Sequence, residues 1–279
     1  MLGRMKNSQT PISTPPSGGI HISCGVRLRI PAGGLIIDTG SGSSPSLKIK
    51  AVELQLDTCV HWLEIALEHL ANAKLAHEAL CAAPPNSPEL GNILDREFKA
   101  SVQATFAAAT FFEALYAATV EGNPPKKPLA SRTPKKRPTR YAIVTEQLRR
   151  FFGVKKQGTA NLRSVLREVY RFRDQAVHPS AMFSEPVLHP ELNVGVERRF
   201  VMFSSSNAQQ LVRAALAFSK ILPSRDLTRQ PKDIRDLGAY LLEVRSPLHA
   251  LWEQRYGPLL DPPSNATLHC GQGGGLQRA

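Results

Sequence analysis

The side chains of this 279-residue chain best suited to chemistry sit in one run, Leu162-Arg-Ser-Val-Leu-Arg-Glu-Val-Tyr170-Arg-Phe-Arg173-Asp174-Gln-Ala-Val-His178-Pro179. Leu162, Val165, Leu166, Val169 and Ala176 fall at the spacing of one apolar helical stripe. Arg173 stands four residues after Val169 and three before Ala176, so it lands on that stripe. A guanidinium placed there needs an anionic partner, and phosphate or carboxylate is the usual one. Pro179 disfavours helical geometry at His178, so the helix ends there. Were it to continue, the five-residue step would turn His178 about 140° away from Arg173. Asp174, one turn before His178, is placed to accept an imidazole N–H. Two readings stay open. Arg173 and His178 converge on a phosphate, or Arg173 pairs with an acid such as Glu113 while His178 caps the end of its helix, where a cation is favourable.

Other chemical motifs carry less. Leu35-Ile-Ile-Asp38-Thr-Gly-Ser-Gly-Ser-Ser44 resembles the active-site stretch of aspartic proteases, in which two Asp share a proton. The string occurs once, and the chain after it is helical, so it reads as a polar linker following a strand. His61, Glu64, Glu68 and His69 share a helix at steps of three and four, which can place two metal ligands on one face. No Glu-x-x-His tetrapeptide supports a di-iron bundle, and the group reads as a solvated charged face. Phosphate-loop, nucleophile-elbow and dinucleotide glycine motifs are missing. No metal or cofactor is expected.

Charge is concentrated. The net charge is +12. Residues 122–156 hold 11 basic and 1 acidic side chains, against 9 and 11 in residues 1–121 and 15 and 11 in residues 157–279. The basic segment carries Lys126, Lys127, Arg132, Lys135, Lys136, Arg137 and Arg140 among prolines. Prolines and like charges forbid a packed helix, so residues 122–140 should form a solvated loop. Such a loop attracts polyanions by counterion release. With no aromatic side chain before Tyr141, it suits a phosphate-backbone grip better than base stacking. A solubilising linker and a nuclear-import signal are the competing readings.

The elements that position these groups are mostly helical. Residues 1–46 are rich in Ser, Gly and Pro, with a small hairpin or weakly ordered arm around Ile20 to Ile37. Helices are expected from about Ser46 to Ala82, from Ser87 to Val120, from Tyr141 to a break at Gly153, from Thr159 to Val177, from Asn207 to Leu222 and from Lys232 to Tyr256. Pro186–Leu192 and Gly195–Phe203 read as a hairpin. Residues 47–260 form the helical domain, and 261–279 a flexible tail. The composition, 42% hydrophobic and 21% charged, suits a folded core. Cys24, Cys59, Cys81 and Cys270 form no paired motif, which fits a reducing compartment. With no apolar leader and no span-length apolar run, a cytoplasmic location away from membranes is expected.

The Arg173-Asp174-Gln-Ala-Val-His178 run resembles the signature of the HEPN superfamily, the higher eukaryote and prokaryote nucleotide-binding domains. That signature is an Arg, four to six residues, then a His, often with Asn, Asp or His directly after the Arg. Arg173 matches with four intervening residues and Arg171 with six. The order of helices over roughly residues 47–222 is also that of a HEPN four-helix bundle. The resemblance thus implies a mainly α fold, a HEPN-like four-helix bundle with small β-hairpin decorations and an extra C-terminal helix. It implies RNA as partner and a homodimer in which two motifs meet and cleave RNA without metal. His178 would be the general acid or base, Arg173 the stabiliser of phosphorane charge, Asp174 the residue orienting the imidazole and Arg171 a phosphate contact. The product would be a 2′,3′-cyclic phosphate. Many members are instead non-catalytic binding modules, for nucleic acid or for protein, as in toxin–antitoxin or defence systems. An antitoxin or a nucleotidyltransferase is the corresponding partner.

Overall fold

Short strands come first in the chain. The computed structural model describes residues 20–23, 25–38, 46–84, 87–124, 138–178 and 185–260. Strands β1 (Ile20–Ser23), β2 (Val26–Arg29) and β5 (Glu53–Leu56) form one antiparallel sheet, in which Val26 faces Leu56 and Leu28 faces Leu54. Strands β3 (Leu35–Asp38) and β4 (Ser46–Ile49) pair separately, with Leu35 opposite Ile49 and Ile37 opposite Leu47. The sequence reading starts the first helix at Ser46, whereas α1 runs Thr58–Ala82. Two causes account for the later start. Leu47/Ile49 and Leu54/Leu56 alternate at the strand period of two, and Asp57 Oδ1 caps α1 by accepting the Cys59 N–H at 2.9 Å. Gly25, at φ 73°, turns the chain between β1 and β2 against that capped end. A Cβ there would meet Val60 Cβ at 3.0 Å, so the turn needs glycine.

The remaining elements are α2 (Leu90–Gly122), α3 (Arg140–Phe151), α4 (Lys156–Val177), β6 (Val187–Leu188), β7 (Gly195–Val196), α5 (Arg198–Met202), α6 (Ser205–Ile221) and α7 (Lys232–Tyr256). The protein is therefore mainly helical, with small antiparallel sheets. Gly153, at φ 59°, separates α3 from α4. The expected second arm of the 186–203 hairpin is only partly a strand. β7 pairs with β6, and then Glu197 accepts the Arg199 N–H at 3.0 Å and starts α5. A capping acid overrides the β-branched pattern there.

Helix α2 is the centre. It touches α1, α3, α4, α5 and α6. Ala104, Ala107, Ala108, Ala109, Phe111, Phe112 and Leu115 are all buried. They span a broad arc of roughly 200° at 100° per residue, while Arg96, Lys99, Gln103, Phe106 and Ala117 leave the remaining face of α2 exposed. The small residues let α1 and α6 approach, and the paired phenylalanines fill the wider gaps. One apolar cluster joins α1, α2, α3, α4, α6 and α7. No described helix is long and apolar enough to cross a membrane.

One charge lies inside this core. Arg245 of α7 is completely buried, 5.4 Å from the Phe111 ring centroid. Among the described residues, none accepts a hydrogen bond from its Nε, Nη1 or Nη2. A buried, unpaired guanidinium is strongly destabilising. Arg245→Met keeps an unbranched, flexible stem, shorter than that of arginine, and removes the charge; it is expected to raise unfolding stability in urea by about 1–4 kcal/mol. A loss of stability would instead show that the packing of the guanidinium, including its contact with Phe111, outweighs the cost of burying its charge.

Candidate functional site

The apolar stripe of α4 folds inward as its spacing requires: Leu162, Leu166, Val169, Tyr170 and Phe172 are buried. Arg173 follows on the edge of that stripe, with 26% of its side chain exposed. Its guanidinium is fully engaged. Nη1 donates to Glu113 Oε1 at 3.3 Å, while Nε and Nη2 donate to Asp174 Oδ1 at 3.0 and 2.6 Å. Its carbon end lies 4.6 Å from the Tyr170 ring centroid, a favourable cation–π contact. Of the two readings of Arg173, the carboxylate partner, Glu113, is the one present.

Glu113, on α2, gathers more than Arg173. Arg140, the first residue of α3, donates Nε to both carboxylate oxygens at 3.1 and 3.0 Å, and Nη2 also donates to Oε2. The Tyr170 hydroxyl donates to Oε1 at 2.7 Å. The Arg140 guanidinium stacks 4.3 Å from the Tyr116 ring centroid. Partial burial by itself would raise the Glu113 carboxyl. Hydrogen bonds from Arg140 and Tyr170, with the charges of Arg140 and Arg173, outweigh it and hold the group below its ordinary value. Tyr170 moves the other way: burial, then the bond to the Glu113 carboxylate, pushes its hydroxyl up. The Arg140 guanidinium is raised by its bond to Glu113.

Helix α4 stops at Val177, as Pro179 requires. His178 leaves helical geometry at φ −118°, ψ 57°, with its N–H still bonded to Asp174 O at 2.9 Å. The side chain is exposed. The Asp174 carboxylate is turned to Arg173, so it does not orient the His178 ring as the resemblance implies. Arg171 is bonded through Nε to Glu168 at 2.9 Å on the surface. Lys126, Lys127, Arg132, Lys135, Lys136 and Arg137 lie outside the described residues, as do Pro179, Cys24, Cys270 and Thr39 to Ser44. Among the described residues, no three His, Cys, Asp or Glu side chains are arranged to hold a metal ion. His61 and Glu64 bond only each other, at 2.8 Å.

Arg140 and Arg173, 33 positions apart, thus meet on one carboxylate. The carboxylate was foreseeable as a partner for Arg173; its capture of Arg140 and Tyr170 was not. Only the tertiary arrangement brings α2, α3 and α4 to that point. Comparison with known proteins returns nothing: no family model matches the chain, and no curated protein or solved structure matches it.

Glu113→Gln leaves two cations without their shared anion. It is expected to lower stability at pH 7 by about 1–3 kcal/mol, measured by urea unfolding. Because the folded carboxyl titrates below its ordinary value, its contribution is full above that value and fades as pH falls through the folded one. The wild-type and variant curves should therefore converge in acid. Parallel curves down to pH 2 would contradict the carboxylate's role.

Proposed function

We propose that this chain is a HEPN-like protein acting on RNA, with Arg173 and His178 as the residues that meet the scissile phosphate. One observation supports the reading most. Arg140 closes the basic segment, and it rests on the same carboxylate as Arg173. A polyanion gripped by the segment would therefore run toward the end of α4. The break in α4 at His178 adds to this, because it frees the imidazole from the helical direction that would point it away. In the catalytic form, a second copy of the chain supplies the facing motif. The Arg173 guanidinium exchanges a carboxylate for phosphate oxygens. His178 moves a proton to or from the ribose 2′-hydroxyl or the leaving oxygen, and the product carries a 2′,3′-cyclic phosphate.

A second reading rests on its own observation. All three Arg173 nitrogens are bonded to carboxylates, and Asp174 serves Arg173 rather than His178. This arrangement favours a non-catalytic module that binds RNA, or a protein partner such as an antitoxin, without cutting. The two readings separate in one experiment: total RNA incubated with the purified protein in EDTA, beside His178→Ala. Cleavage by the wild type that falls at least about 100-fold in the variant supports the nuclease. RNA left intact by both, or cut equally by both, ends it.

Binding is tested independently of cutting. Replacing Lys126, Lys127, Arg132, Lys135, Lys136 and Arg137 by Gln is expected to weaken affinity for single-stranded RNA. It should also flatten the slope of log K against log salt by about 4, for six phosphate contacts. Unchanged affinity and slope would remove the segment from the interface.

A further inference from the structure

A second constellation lies about 24 Å back along α2 from Glu113, at 1.5 Å per residue. Cys81, on the last turn of α1, is exposed. Its Sγ is 3.7 Å from Nε2 of His77, one turn earlier. His77 Nδ1 faces the Glu97 carboxylate of α2, 3.2 Å from Oε1 and 3.3 Å from Oε2. Glu97 is only 3% exposed, and its Oε1 accepts the N–H of Ser205, the first residue of α6, at 2.8 Å. The carboxylate is thus held by a second helix, and it holds the ring in turn. With Nδ1–H donated to Glu97, the Nε2 lone pair of a neutral ring is left for the thiol. Nucleophile, base and orienting acid stand in a chain.

The surroundings set what this chain of groups can accept. The turn after β6 brings Glu191, whose Oε1 is 3.9 Å from His77 Nε2. It also brings buried His189, whose Nδ1 accepts the N–H of Glu191 at 3.2 Å. Burial lowers the His189 ring below its ordinary value. Partial desolvation, then the charges of Glu191 and Glu97, push the Cys81 thiol up. The C-terminal end of a helix also disfavours an anion. The thiol is therefore a neutral S–H near neutrality, and it can act as a nucleophile only if its proton leaves as the new bond forms. His77 Nε2 is the acceptor in place for that proton. Two carboxylates beside the sulfur repel an anionic reactant.

We propose that Cys81, His77 and Glu97 form a covalent site for uncharged carbon electrophiles, with His77 as base and Glu97 as its positioning residue. With an activated ester, Sγ bonds to the acyl carbon and its proton passes to His77 Nε2. The C–O bond then breaks, the leaving oxygen takes the proton, and a thioester remains on Cys81. With an alkyl iodide, the S–C bond forms as iodide departs. The site is independent of the RNA reading.

The test alkylates the full-length protein at pH 7 with uncharged iodoacetamide and anionic iodoacetate. Rates are read at Cys81 by peptide mass spectrometry, which separates it from Cys24, Cys59 and Cys270. The iodoacetamide-to-iodoacetate rate ratio at Cys81 is expected to exceed that of free N-acetylcysteine by about tenfold or more, two nearby carboxylates supplying the repulsion. His77→Gln should slow iodoacetamide at Cys81 by at least about tenfold, since a positioned base is worth that much or more. Glu191→Gln, a change at a half-exposed turn, should speed iodoacetate more than iodoacetamide and so lower the ratio at Cys81; an unchanged ratio counts against the proposal. It serves where His77→Gln does not fold. A Cys81 ratio equal to that of the free thiol, or equal Cys81 rates in the wild type and His77→Gln, overturns the proposal.

Discussion

Both candidate sites of this protein depend on one central helix that is buried over a broad arc of its circumference. Helix α2 packs against α1, α3, α4, α5 and α6, and the buried arc of its middle is built largely of alanine and phenylalanine. A charge on or at the edge of that arc must find partners within the fold, because water does not reach it freely. Two carboxylates meet that condition, Glu97 near one end and Glu113 toward the other. Glu97 is claimed by the amide at the start of α6 and by a histidine of α1. Glu113 is claimed by the first residue of α3 and by a tyrosine and an arginine of α4. Both candidate sites hang from these two residues.

The Glu113 group does two jobs at once. It ties α3 and α4 to α2 near the end of α4, and it holds Arg140, the last cation of the basic segment, beside Arg173. A guanidinium held by a carboxylate is pre-oriented, yet it must exchange that partner before it can take a phosphate. On the proposed RNA reading, a phosphate would compete with Glu113 for the same donors. The strength of this internal pairing bounds how tightly RNA could be bound there. At Glu97 the demand is different: the acid bonds an imidazole that stands beside a thiol, and Glu191 of the turn after β6 brings a second carboxylate near the same ring.

Arg245 breaks the rule that the two acids obey. It is fully enclosed, yet no described residue accepts a hydrogen bond from it. The Phe111 ring offers only a weak electrostatic partner. The balance between it and the rest of the core is the least economical feature of the fold.

Much of this was legible from residue order. The helical stripes, the stop at Pro179, the break at Gly153, the bounds of the last helix, the placement of Arg173 on a half-buried edge and Glu113 as an available acid all follow from local periodicity and backbone chemistry, which act over a few residues. The start of α1 did not. Leu47, Ile49, Leu54 and Leu56 fit a helical stripe loosely and a strand better, and pairing with β2 and β3 decided between them. Nor did the meeting of Arg140, Tyr170 and Arg173 on one carboxylate, or the alignment of Cys81, His77 and Glu97. Those side chains lie on different helices, and spacing along a chain carries no information about which helices touch. The local pattern determined what each segment could become. The packing of other helices on the buried arc of α2 decided which segments had to share its two acids.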